Sequence, residues 1–267
     1  EIRRFHTGEL LFNYTRKFSN PNQILTFNAS SSIEYNRENT DLSTQTLSEQ
    51  NFAIGNPFLQ KTHNYEDANL TNFSVDYVHP VNDKGMIETG YKGILRFIDV
   101  DFLRSNQFNG NFVTDSVSTD IFKFSEQIHA AYLQYTGWIG DKQEPKWKYS
   151  LGIRAEQVWN KGNTIWNPVS FSNDYFNLFP SASLIYYTPK RNMFKLSYSR
   201  RINRPSLGRY NPFTDITDSL NIYSGNPKLK PELAHSVDMT YNYSFKKGSV
   251  TTSAFFRQTS NVIMPYT

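Results

Sequence analysis

Few residues in this sequence are spaced for bond chemistry. The five histidines (His6, His63, His79, His129, His235) are dispersed, with no i,i+4 or His-x-His pair, so no metal site is expected. The absence of cysteine removes thiolate ligands, a Cys nucleophile and any disulfide framework. Asp99 with Asp101, and Asp215 with Asp218, are close in sequence but lack the Asp-x-Asp-x-Asp-Gly order of a calcium loop. No Gly-x-Ser-x-Gly elbow, Walker loop or Gly-x-Gly-x-x-Gly turn occurs. The expectation is a non-enzyme with no catalytic residue, metal or cofactor. The charged residues that do stand out are Glu88, Lys92, Arg96, Arg154, Glu156, Lys195 and Arg201. Each falls out of phase with apolar neighbours, which is a clue to where it points.

The composition narrows the elements able to hold such a set. Of 267 residues, 38% are hydrophobic, 16% aromatic and 19% charged, with 21 Phe and 17 Tyr. That aromatic content is too rich for disorder. A formal charge of +4 makes no basic stripe, so nucleic acid is not an expected partner. Mean hydropathy is −0.59, and no apolar run reaches the ~18 residues of a membrane helix. A membrane β-barrel stays open, because its strands need apolar residues only at alternate positions.

Such alternation recurs along the chain. Leu10, Phe12 and Tyr14 oppose Glu9, Asn13 and Thr15; Leu25, Phe27, Ala29, Ile33 and Tyr35 oppose Thr26, Asn28, Ser30, Ser32 and Glu34. The clearest case is Val237, Met239, Tyr241, Tyr243 and Phe245 against Ser236, Asp238, Thr240, Asn242 and Ser244. With noisier segments at 121–138, 175–188 and 248–258, the pattern predicts roughly ten strands of about ten residues or more. Short Gly/Pro/Asn/Asp turns (Ser19–Asn22, Asn82–Gly85, Gly140–Pro145, Thr188–Asn192, Lys246–Gly248) alternate with long polar stretches at 38–68, 103–120, 161–174 and 203–232. In an up-and-down sheet this order places tight turns on one edge and long loops on the other, the asymmetry of periplasmic and extracellular ends. Trp147 and Trp159 stand at opposite ends of one strand, in its apolar phase. Twelve residues at ~3.3 Å, tilted ~45°, span roughly 28 Å, close to the apolar band between aromatic girdles. The seven charged residues then line a lumen, where they face a plug or a solute path.

Residues 197–258 hold the most specific pattern. Ser197-Tyr198-Ser199-Arg200-Arg201-Ile202-Asn203-Arg204-Pro205 runs into Tyr210-Asn211-Pro212-Phe213, then Tyr223-Ser224-Gly225-Asn226-Pro227-Lys228-Leu229-Lys230-Pro231-Glu232. This resembles the barrel of TonB-dependent outer-membrane receptors, in particular the Bacteroidetes-type outer-membrane β-barrel group. The match covers about 60 residues in motif and the remainder only in architecture. Bottom-up, Pro205, Pro212, Pro227 and Pro231 stiffen a loop and hold the preceding residues extended. Gly225 can take positive φ, and Glu232 is placed to pair with Arg201 or Arg204. Arg204, Asn211 and Asn226 complete the motif, which is expected to be architectural. The resemblance implies a barrel of about 22 strands, an N-terminal plug and a TonB energy-coupling complex.

The expected domain is therefore 1–267, an all-β, antiparallel, up-and-down partial transmembrane barrel in the bacterial outer membrane. Signal peptide, plug and C-terminal strand are absent from the sequence as given. The expected function is import of a bulky nutrient such as a siderophore or glycan, with outer-membrane lipid around the wall. The expected ligand surface is Asn56, Phe58, Tyr65, Phe108, Trp166, Phe171, Tyr210 and Tyr223, because aromatics stack on sugar and siderophore rings. The alternatives are an accessory barrel docking a surface lipoprotein or a secretion assembly, and a soluble carbohydrate-binding β protein.

Overall fold

The structure, a computed structural model, describes residues 1–141, 145–189, 192–215 and 223–265. Asp218 and parts of two expected turns (142–144 and 190–191) lie outside the described residues. Long strands dominate: β1 (Ile2–Lys17), β2 (Ile24–Leu47), β3 (Ala53–Asn82), β4 (Gly85–Phe108), β5 (Asn111–Thr114), β6 (Asp120–Gly140), β7 (Pro145–Thr164), β8 (Ser170–Tyr187) and β9 (Met193–Asn203). A single helical turn, α1 (Leu207–Tyr210), precedes β10 (Thr214–Asp215), β11 (Tyr223–Ser224), β12 (Glu232–Phe245) and β13 (Gly248–Ser260). One antiparallel sheet runs β1-β2-β3-β4-β6-β7-β8-β9-β12-β13, with β5 attached to β4. The path has ten strands in chain order, as the alternation predicted. β10 and β11 form a separate two-stranded ribbon.

The register sorts side chains onto two faces. Met239 pairs with Leu196, Leu196 with Leu184, Leu184 with Tyr149, and Ala182 with Leu151. These apolar positions share one face, and nothing covers it: Leu10 is 74% exposed, Leu151 60%, Leu196 52% and Met239 57%. A water-soluble sheet buries such a face against a second layer, whereas a barrel wall turns it to hydrocarbon. Burial is found instead on the opposite face, at Ile98, Phe122, Phe124, Val158 and Phe179. Gly93 sits on the outer face directly across from Phe73, and a Cβ there would meet the Phe73 ring at 2.2 Å. The glycine makes room for the ring to lie over its neighbour.

One expectation changes in detail. Stretches 38–68, 103–120 and 161–174 are mostly strand, with only 48–52, 109–110, 115–119 and 165–169 as connections. Strand pairs such as Thr40↔Thr62 and Asp41↔Lys61 continue the ladder past the apolar belt. Both faces of that ribbon are polar, with Asp41 and Lys61 exposed on one and Gln60 and Thr62 buried on the other, so the period-two signal vanishes while the hydrogen bonds persist. The asymmetry between edges survives, since these extensions all lie on the side opposite the tight turns. Trp138 belongs to the inner face, paired with Lys148 and 7% exposed, not to the outer girdle. Its neighbour in sequence, Ile139, pairs with Trp147 on the outer face.

The wall has one seam. The β8–β9 ladder runs from Tyr187↔Met193 to Ser181↔Ser199 and stops. The next β8 residue is Pro180, which has no N–H to offer. Beyond it Arg200 Nη1 donates to the Leu178 carbonyl at 3.1 Å. This explains an arginine in the apolar phase next to Tyr198: the guanidinium substitutes for a missing ladder bond. Arg200→Leu is expected to leave that carbonyl unsatisfied, at a cost of about 1–3 kcal/mol. A lower temperature for loss of heat-modifiable gel mobility checks it.

Candidate functional site

After β9 the chain does not project outward as a free loop. It folds back onto the inner face of the wall. Arg204 leads in, Pro205 ends the strand, and α1 places Tyr210 against the sheet at 1% exposure. Tyr210 stacks on Phe124 (6.1 Å between centroids) and Phe171 (6.0 Å), with Phe122, Ile98, Leu207 and Leu229 around them. The return segment is tied to the outgoing one: Gly225 N donates to Asn211 O at 2.9 Å and Asn226 N to Arg209 O at 2.7 Å. Ser224 Oγ donates to Pro212 O at 3.2 Å, and Asn173 Nδ2 fixes Pro227 O at 2.8 Å. Gly225 is required for proximity rather than for positive φ, which it does not adopt. A Cβ there would lie 2.4 Å from Asn211 O and 2.7 Å from Arg209 O.

A charged layer adjoins this aromatic cluster. Arg204 pairs with Glu156, and Arg154 Nε stands 3.7 Å from the same carboxylate. Arg96 Nη1 bonds Glu126 Oε2 at 2.9 Å. Glu126 and Glu156 are 3% and 5% exposed. Asn160, fully buried, donates to Glu126 Oε1 at 3.2 Å when its amide nitrogen faces the carboxylate. Burial first, then the charge of Glu126, pushes the Tyr210 phenol up to about 12, so it stays protonated. The layer unites Arg96, Arg154, Glu156 and the motif residue Arg204. Glu88 joins Gln134 (3.3 Å) lower on the same face, and the register puts Lys92, Lys195 and Arg201 there too.

Glu126 and Asn160 were not singled out from sequence. The inner face of β6 bears Phe122 and Phe124 because the loop covers it, so the apolar phase there is the reverse of that in the belt. Glu232 does not pair with Arg201 or Arg204: it accepts from Asn203 Nδ2 (2.8 Å) and Ile263 N (2.7 Å). Arg204 turns inward to Glu156 instead.

The eight expected ligand residues do not converge. Phe171 and Tyr210 are packing residues of the inner cluster. Tyr65 lies on the outer face of the β2–β3 ribbon, where Arg37 sits 5.0 Å over its ring and pairs with Asp67 at 2.5 Å. Asn56 and Phe58 belong to the far part of β3 and Phe108 to the end of β4. Trp166 is half exposed in the 165–169 turn, and Tyr223 borders a cavity inside the wall. The turn is held by an unexpected residue, Asp120. Its buried carboxylate accepts from the N–H groups of Ile165 (2.9 Å), Trp166 (3.0 Å) and Asn167 (3.1 Å). Asp120→Ala is expected to cost about 2–4 kcal/mol, allowing for water replacing part of the lost bonding. Hydrogen exchange at 165–167 should accelerate by at least an order of magnitude, with the belt amides unchanged.

A single-layer, up-and-down antiparallel sheet, apolar outside and packed inside by its own loop, is the wall of a transmembrane β-barrel. The chain belongs to the outer membrane protein beta-barrel family, whose family model matches residues 16–267. No curated protein sequence matches it. Its fold is similar to that of the ferric citrate transporter FecA in the unliganded form (TM-score 0.61, 12% identity, 96% of this chain and 35% of that one). It is also similar to the ferric yersiniabactin uptake receptor FyuA from Yersinia pestis (0.56, 9%, 96% and 36%). A third is the siderophore receptor PiuA from Acinetobacter baumannii (0.52, 13%, 95% and 40%). The chain thus spans 35–40% of the length of these receptors.

Proposed function

We propose that this chain is a barrel segment of a TonB-dependent receptor of the Bacteroidetes-type group, importing a bulky nutrient across the outer membrane. The observation that supports it best is the loop after β9, whose described parts (204–215 and 223–231) pack inward over a charged layer. The fold shared with uptake receptors supports the same reading. The work is binding and gated passage, not bond chemistry, so no catalytic residue is assigned. A plug domain docks against the inner charges, and an energy-coupling complex displaces it.

Arg201 is the place to test docking, because it lies on the inner face and takes no part in the Arg204–Glu156 pairing. In cells carrying the full-length protein, Arg201→Glu is expected to loosen the plug and raise sensitivity to vancomycin several-fold. Unchanged sensitivity, with normal amounts of folded protein, contradicts plug docking at this wall.

A further inference from the structure

A cavity remains where the inward loop packs on the wall. It holds about 210 Å3 between the loop and the inner wall, bordered by Asn64, Phe102, Asp120, Asn211, Phe213 and Tyr223. That is below the roughly 300 Å3 at which pockets for whole drug-sized ligands begin, so it suits one ring of a larger molecule. Phe102 and Phe213 pack with centroids 5.1 Å apart, and half-exposed Tyr223 borders the same space. Asn64 Oδ1 is buried with no partner among the described residues. Asn211 spends its Oδ1 on Phe213 N–H (3.1 Å), which leaves its Nδ2 available.

The charge pattern selects among rings. Among the described residues, no lysine or arginine borders the cavity. The next inward residue of β4, Arg104, faces Asp115 at 4.0 Å. Asp120 brings a negative charge, already engaged by backbone N–H groups. An anionic metal chelate would therefore meet a carboxylate and no bordering cation. A neutral ring bearing hydroxyls fits better: its C–H face stacks on the aromatics and its hydroxyls meet the two amides. We infer that this cavity is a subsite for one neutral hydroxylated ring, a pyranose of a larger glycan. This rests on the import proposal and specifies its substrate class.

The test uses full-length protein in detergent micelles and calorimetric titration with a panel of neutral oligosaccharides (maltoheptaose, laminarin, xylan and mannan fragments) and ferric citrate. At least one neutral oligosaccharide should bind. Phe213→Ala and, separately, the rim variant Tyr223→Ala should each weaken it roughly tenfold, while Tyr243→Ala on the outer face of β12 leaves it unchanged. Heat-modifiable mobility confirms that each variant is folded. Absence of any neutral binder, or neutral binding indifferent to both substitutions, overturns the subsite. Ferric citrate binding that is lost in Phe213→Ala overturns the neutral class but leaves import standing.

Discussion

Glu156→Gln should release the 204–231 loop from the wall. The substitution keeps the shape of the side chain and removes the only charge that faces both Arg204 and Arg154 among the described residues. Breaking one side of a buried ion pair typically costs 3–5 kcal/mol, because the other charge is left uncompensated. Arg204 retains 26% side-chain exposure, so about 2–4 kcal/mol is the appropriate scale. Trypsin gives a local readout. Arg209 is a cleavage site followed by buried Tyr210, whereas Arg204 is protected by Pro205. Cleavage after Arg209 should rise roughly 30-fold or more in Glu156→Gln. Glu156→Leu combined with Arg204→Met should restore protection, since an apolar pair of similar volume avoids the desolvation cost altogether. Equal cleavage in wild type and Glu156→Gln would mean that the pair does not hold the loop.

The second large effect is expected at Gly225. Its would-be Cβ meets three carbonyl oxygens, those of Asn211, Arg209 and Gly208, at 2.4–2.7 Å. These are backbone atoms of the opposing segment and cannot rotate away like a side-chain end. Gly225→Val must push the two segments apart and break both Gly225 N–Asn211 O and Asn226 N–Arg209 O. Overpacking typically costs 1–3 kcal/mol, and the two hydrogen bonds add about 1 kcal/mol each. Exchange at the Gly225-position and Asn226 amides should accelerate at least a hundredfold. Gly208→Ala is the control: nothing lies within 4 Å of its Cβ position, so the loop should stay closed.

These two sites mark how far sequence carries. The strands were legible where one face meets lipid and the other does not, as in Val237–Phe245, because burial on one side alone imposes the period of two. The same rule explains the failures. Where both faces are polar, as at Thr40 and Asp41, the ladder continues without a pattern. Where the inner face is covered by a loop, as at Phe122 and Phe124, the apolar residues point inward and Lys123 and Ser125 outward, so the apolar phase reverses along the strand and the pattern blurs. The prolines predict a stiff loop, but they do not predict that it turns inward. That direction depends on Tyr210 meeting Phe124 and Phe171, contacts distant in sequence. Partner choice was illegible for the same reason: Arg204 and Glu232 are near in the fold, yet each finds a better partner. Asp120 gave no signal at all, since it binds backbone N–H groups, which every residue but proline has.

The account depends on the direction the two faces look. These 267 residues contain no cysteine, so a label at a cysteine introduced here competes with no native thiol of this stretch, and any cysteine elsewhere in the full-length protein is replaced by serine beforehand. Leu196 and Ser197 are adjacent on β9 and belong to opposite faces. A nitroxide at Leu196→Cys in the full-length protein, reconstituted in liposomes, should collide with oxygen dissolved in the acyl chains and be shielded from a water-soluble nickel chelate. A nitroxide at Ser197→Cys should show the reverse. If the Leu196 label is accessible to nickel, or both labels are equally screened from oxygen, the apolar face does not meet lipid and the barrel-wall account fails.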